Sequence, residues 1–397
     1  MATTRDAIEE DGVAVIIRTI DGHVGIPGGF PILLTDKMEI IEAAFVFLLE
    51  LTTVPGRSHS RETLRTYAEH LHDWFDSLEQ SGLNWRDVCE ETIAAYRNRM
   101  LDQPSAHTGR PYARSTISDR VRSVCRFYEW AHRRGWLSQL PFHRIDVRIT
   151  SGRKQSFLAH VDQRSTVTTA NVLTVAEYEN LPRSLRVDQI KLLLVNLATP
   201  YRLMAEWALA CGLRRMELCA LTVDQVPSLR AFDVGAHPLI GVALSITKGD
   251  RPRTVYSPIR LIDRTHWYVG EERAALLRRI RRNPLGDREP VTLFLNRNGG
   301  CVTRARLTAV FAAAFNSAGL DGSLHWLRHT FAMTMLVRLQ AHAAVKPEIN
   351  PLKVLQILLG HSSIQTTAIY LRCVELHERE IAESLDYLYG GVILDEI

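Results

Sequence analysis

Apolar residues recur at three- and four-residue steps over much of the chain, a spacing that predicts helices with one buried face. From Ser60, a good N-cap residue, Leu64, Tyr67, Leu71, Trp74, Phe75 and Leu78 mark such a face, and the run ends at Ser81-Gly82. A shorter helix after Thr92 carries Ile93, Tyr96 and Met100 on one side. A third begins near Ser115, aligns Ile117, Val121, Val124, Tyr128 and Ala131, and stops at Gly135. Helical periodicity returns at 187–198 and 201–211, then near 303–318, 326–340, 351–359 and 375–388. Strand-like runs are fewer. They fall at 13–17, before the turn Pro27-Gly-Gly-Phe-Pro31, at 239–247 and 253–256 flanking Lys248-Gly249-Asp250, and at 291–295. The pattern predicts a mainly α protein with a small β-sheet (α+β).

A chain of 397 residues exceeds one ordinary core, so two domains are expected. Residues 1–36 read as an N-terminal arm or appendage, and 37–145 as a helical domain. Residues 146–182 read as a linker, because the pattern there dissolves into Ser151-Gly-Arg-Lys-Gln155 and Ser165-Thr-Val-Thr-Thr169. A second domain with a helical tail is expected at 183–397. The longest apolar runs, at 43–49 and 192–195, are far below the roughly 20 residues that span a bilayer, so no membrane partner is expected. Asp6, Glu9, Glu10 and Asp11 stand where a secretory signal needs a basic start, which points to the cytoplasm. Cys89, Cys125, Cys211, Cys219, Cys301 and Cys373 are scattered without a Cys-x-x-Cys pair, which predicts reduced thiols and no metal.

The net charge is only +4, but the basic residues are nearly all arginine. Lysine occurs only at 37, 154, 191, 248, 346 and 353, so Lys248 stands alone between Lys191 and Lys346. The bias also fits a GC-rich genome. On the third helix Arg114, Arg120, Arg122 and Arg126 fall on the outward faces, read either as a solvated basic face or as a surface that follows DNA phosphates.

The chemistry lies in the second half. A phosphodiester under attack spreads growing negative charge over its oxygens, and two arginines would stabilise it as permanent bidentate donors. Arg214 and Arg328 are the candidates. A tyrosine hydroxyl, with a pKa near 10, needs neighbours that orient it and take its proton. Tyr370 is the candidate nucleophile, nine positions after His361. Lys248, at a β turn, can protonate the departing sugar oxygen. His325 shares a helix face with Arg328 and can exchange a proton with the nucleophile, while His361 can hydrogen-bond the phosphate or position Tyr370. Glu217, three residues after Arg214, can orient that arginine or form a plain surface pair. His329, next to Arg328, is directed elsewhere by helical geometry and reads as a core or capping group. This set needs neither metal nor cofactor.

Gly212-Leu-Arg-Arg-Met-Glu-Leu218, Thr247-Lys-Gly249, His325-Trp-Leu-Arg-His-Thr-Phe-Ala332 and Leu359-Gly-His-Ser-Ser-Ile-Gln-Thr-Thr-Ala-Ile-Tyr370 closely resemble the tyrosine recombinase (phage integrase) family. The likeness covers about 180–375, and 58–142 resembles that family's helical, SAM-like core-binding domain. The resemblance implies a C-shaped clamp of two domains on double-stranded DNA and a 3′-phosphotyrosyl intermediate at Tyr370. It further implies a homo-tetramer on two DNA sites that passes through a four-way junction, with companion recombinases or accessory proteins in some systems. Integration or transposition of a mobile element is the expected setting, beside resolution of replicon dimers. The segment 340–351 sets His325 farther from His361 than the family pattern does, and the tail at 374–388 resembles a helix that packs on a neighbouring protomer or in cis. Type IB topoisomerases share the chemistry and would relax DNA without exchanging partners. A non-catalytic architectural DNA-binding factor is the other alternative.

Overall fold

Helices carry most of the architecture, and the strands form two-stranded antiparallel hairpins. The computed structural model describes residues 15–19, 25–53, 61–105, 109–148, 167–171, 173–176, 181–228, 239–247, 252–281, 289–346 and 348–375. The chain divides into two compact units, 1–179 and 180–397.

In the first unit, α2 (Arg61–Gln80) buries Leu64, Tyr67, Leu71, Trp74, Phe75 and Leu78, the face its spacing predicts. The helix α3 (Glu90–Asp102) buries Ile93, Tyr96 and Met100, and α4 (Arg114–Arg133) buries Ile117, Val121, Val124, Tyr128 and Ala131. Preceding them is α1 (Glu42–Thr53), which periodicity does not announce because it is apolar almost all round. Aromatic edges lock these helices together. Phe47 meets Phe127 at 5.7 Å and Trp74 meets Tyr96 at 5.0 Å, both edge to face. The strands β1 (Val15–Arg18) and β2 (Pro31–Leu34) pair antiparallel, and Phe30 and Leu33 sink into this same core. The segment read as an arm is therefore in part a packed hairpin. Within the stretch read as a linker, β3 (Arg144–Arg148) pairs with β4 (Val167–Asn171), and Leu173 joins the core.

The arginines of α4 separate. Arg114, Arg122 and Arg126 are exposed. Arg120 is not on the outer face: its side chain retains only 14% exposure, pairs with Asp73 at 2.6 Å and stacks over Tyr112. Asp73 also accepts from the Tyr96 hydroxyl at 2.5 Å, so Arg120 neutralises a carboxylate beside the core instead of facing a solvent partner.

In the second unit, α5 (Val187–Val195) and α6 (Tyr201–Cys211) precede a short α7 (Arg215–Ala220). The hairpin β5 (Leu239–Leu244) and β6 (Arg253–Pro258) runs in register from Leu239↔Pro258 to Leu244↔Arg253. Next come α8 (Ile259–Tyr268), one π-helical turn (Val269–Arg273) and α9 (Ala274–Arg281). The expected strand at 291–295 is absent. That segment makes only the isolated bridges Thr222↔Thr292 and Leu295↔Cys301, and buried Arg273 holds it through Glu289 and the carbonyls of Pro290 and Thr292. The described residues end with α10 (Arg304–Ser317), α11 (Leu324–Val345), α12 (Pro351–Leu359) and α13 (Ile364–Glu375). The segment 340–351 thus extends α11 by more than a turn, then passes to Asn350, whose side chain caps α12 by accepting from Lys353 N at 3.1 Å. The expected helix at 375–388 lies beyond Glu375, outside the described residues.

The helix α11 packs against α6, α12 and α13. Phe331, Ala332, Leu336, Leu355, Leu359 and Tyr370 form an apolar cluster among the last three helices, so the candidate nucleophile is seated in a packed, water-poor layer. Among the described residues no helix is long and apolar enough to cross a membrane.

Candidate active site

The C-terminal end of α12 organises the site. Its last carbonyls cannot be paired within the helix, and a helix terminus carries partial negative charge. Three guanidiniums converge on them. Arg253 donates to Leu358 O, Arg328 to Leu359 O at 2.7 Å and Arg214 to Gly360 O at 3.1 Å. Gly360 terminates the helix in the left-handed region at φ 61°, and a Cβ there would collide with Arg253. Gly212 plays the same part for α6. At φ 62° it ends that helix, lies against the ring of Phe331, and its carbonyl accepts from Arg328. Both glycines therefore shape the anchor points of the arginines.

Glu217 is 1% exposed and balances part of this charge. It accepts from Arg214 Nη1 at 3.0 Å and Arg253 Nη2 at 2.8 Å, and it caps α7 through Arg214 N at 2.7 Å. Burial alone would raise its pKa, but Arg253 and then Arg214 hold it below the ordinary carboxylate value. Glu217 is thus a buried charge partner and not a surface pair. One carboxylate against three guanidiniums leaves the cluster positive, and this excess acts on its neighbours. Arg328 falls to about 9 through burial, then the charges of Arg214 and Arg253. His361 falls to about 3 through burial, then Arg328, Arg214 and Arg253, so its ring is neutral near pH 7. A bound anion would relieve both.

Each ring nitrogen of His361 has a partner. Nε2 lies 3.1 Å from Arg328 Nη2, and because a guanidinium can only donate, Nε2 accepts. The neutral ring then carries its proton on Nδ1, which donates to Thr367 Oγ1 at 3.0 Å. Thr367 lies one turn before Tyr370 on α13, so His361 ties the arginine cluster to the helix that bears the tyrosine.

The Tyr370 hydroxyl meets His329: it lies 2.9 Å from His329 Nδ1. The reading of His329 as a core or capping group is corrected here. Neighbouring helical residues diverge by about 100°, which carries His329 away from Arg328 but into line with His325, one turn earlier. His325 is exposed near the start of α11, with its ring 4.4 Å from that of His329. Burial, then His325 and Arg328, lower His329 to about 4. Lys248 lies outside the described residues, between β5 and β6.

Arg214, Glu217, Arg328, His361 and Tyr370 are therefore gathered within one unit. Sequence reasoning passed over Arg253 and His329. Only the i,i+4 relation to His325 marked His329, and nothing in the sequence marked Arg253 until the hairpin brought it beneath α12. Among the described residues no group of three or more His, Cys, Asp or Glu side chains comes together as a metal site.

Residues 183–376 match the phage integrase family, and 52–135 match the phage integrase N-terminal SAM-like domain. The chain is 27% identical over 347 residues to tyrosine recombinase XerC of Halalkalibacterium halodurans, covering 87% of this chain and 97% of that protein. It is 27% identical over 346 residues to tyrosine recombinase XerD of Shewanella oneidensis, with 84% and 94% covered. Among solved structures, the fold is shared with a lambda integrase dimer bound to a COC′ core site, at TM-score 0.53 and 13% identity over 83% of this chain and 94% of that one. It is shared too with XerH site-specific recombinase bound to palindromic difH substrate, at TM-score 0.51 and 18% identity over 81% and 79%. The matches span both units, and the second includes every residue of the arginine, histidine and tyrosine cluster: the chain belongs to the phage integrase family, as a tyrosine recombinase.

Proposed function

We propose that this protein binds duplex DNA and exchanges strands site-specifically through a phosphotyrosyl link at Tyr370. The observation that carries the reading is the convergence of Arg214 and Arg328 on the end of α12, beside His361 and the helix that bears Tyr370. A phosphodiester entering this positive cluster brings the anion that it lacks, and the arginine donors not spent on carbonyls and Glu217 can reach its oxygens. Tyr370 attacks phosphorus while the bond to the 5′ oxygen breaks, and Lys248 supplies the proton to that oxygen. The released 5′ hydroxyl of a second duplex reverses the step on a new partner. Four protomers on two sites, with a companion recombinase where the sites differ, give each strand a partner; relatives named XerC and XerD support such pairing. Exposed Arg114, Arg122 and Arg126 track the phosphate backbone.

The test is strand exchange between two differently labelled duplexes from the protein's native locus, a mobile-element end compared with a chromosomal site, beside relaxation of a supercoiled plasmid without that site. Recombinant products from one of the two loci support the reading. Relaxation without exchange would replace it with a topoisomerase.

A further inference from the structure

We propose that His329 is a positioning residue for the nucleophile, holding the Tyr370 hydroxyl in the orientation from which it attacks phosphorus. This deepens the reading above and rests on it. Tyr370 is 3% exposed within the apolar cluster of α11, α12 and α13. A buried hydroxyl without a hydrogen-bonding partner is costly and free to rotate, and the His329 ring supplies that partner at 2.9 Å. The two rings stand 5.7 Å apart and tilted by 56°, so the contact runs through the hydroxyl and not through ring stacking. His325, one turn earlier, lies edge to face with His329 and fixes its ring in turn.

Electrostatics fits orientation better than proton removal. Burial and the neighbouring His325 and Arg328 keep the ring neutral, so a lone pair is available to accept from the hydroxyl. A ring lowered to about 4 is too weak a base to draw a proton from a phenol whose ordinary pKa is near 10. With Nδ1 as acceptor, the hydroxyl hydrogen is directed toward α11. The requirement at position 329 is therefore an acceptor in the right place, not a titratable group.

The test measures single-turnover formation of the covalent protein–DNA adduct on a nicked native-locus duplex. It is repeated with the 5′-bridging oxygen at the scissile phosphate replaced by sulfur, a leaving group that needs no proton. His329→Ala should slow the step at least about tenfold on both substrates, with DNA affinity unchanged. His329→Asn, whose side-chain amide reaches the place of Nδ1, should recover to within a few-fold of the unaltered chain. Lys248→Ala, a defect on the leaving-group side, should be slow on oxygen and restored on sulfur. Where the alanine cavity weakens the fold, His329→Leu fills the space without an acceptor and should be as slow as alanine. Adduct formation at the unaltered rate in His329→Ala or His329→Leu, or rescue of either by sulfur, overturns the proposal while leaving the recombinase reading intact. Absence of any adduct from the unaltered chain overturns that reading, and the role of His329 with it.

Discussion

A carboxylate buried as fully as Glu217 stays ionised because Arg253 and Arg214 both reach it, while burial, then Arg328, Arg214 and Arg253, keep His361 from taking a proton. These shifts act together on stability. The lowered pKa of Glu217 contributes stability above the ordinary carboxylate range that is lost as pH falls through its folded value. His329 at about 4 and His361 at about 3 lie below the ordinary histidine value near 6.5. Between about 6.5 and 4 the unfolded chain therefore binds protons that the folded rings refuse, and stability declines as pH drops. Each ring contributes a slope of at most about 1.4 kcal/mol per pH unit. Urea denaturation between pH 4.5 and 7.5 should show this decline, and His361→Asn should flatten it. An unchanged slope in that variant would mean that the ring titrates alike in both states. Phosphate or DNA bound in the cluster should raise the His361 pKa, since an anion opposes the guanidinium charges that depress it.

At the scale of elements, α12 and α4 show why part of the molecule can be read from sequence and part cannot. The helices α2, α3 and α4 are amphipathic with one core side, so their buried positions follow from spacing. By contrast α1 is apolar on nearly every face, so it shows no clean period. Within the site, Arg214, Arg328, His361 and Tyr370 are legible because they sit in contiguous phrases. Arg253 and His329 acquire meaning only when β6 passes under Gly360 and α11 packs on α13. The helix α4 makes the complementary point, because spacing puts Arg120 on an outward face while Asp73 on α2 draws it in. DNA binding should separate these arginines. Replacing Arg122 or Arg126 by alanine should weaken binding and lower the slope of log affinity against log salt by about 0.9 for each phosphate that is no longer neutralised. Arg120→Ala should leave that slope unchanged and lower the denaturation midpoint instead, because Asp73 keeps Tyr96 and Arg99 but loses its shortest ion pair. Equal salt slopes for all three variants would remove α4 from the DNA-contacting surface.

For the molecule as a whole, each unit holds its own core, and the arginines, histidines and tyrosine of the proposed chemistry lie in the second. The central claim is that this cluster makes Tyr370 a nucleophile toward a DNA phosphodiester. The most direct measurement incubates the protein, in EDTA, with a nicked duplex from its native locus. Denaturing electrophoresis then looks for a covalent adduct, and peptide mass mapping locates the attached nucleotide. An adduct on Tyr370 that vanishes in Tyr370→Phe is the predicted result. Tight binding to the same DNA with no adduct, or an adduct that persists in Tyr370→Phe, would contradict it.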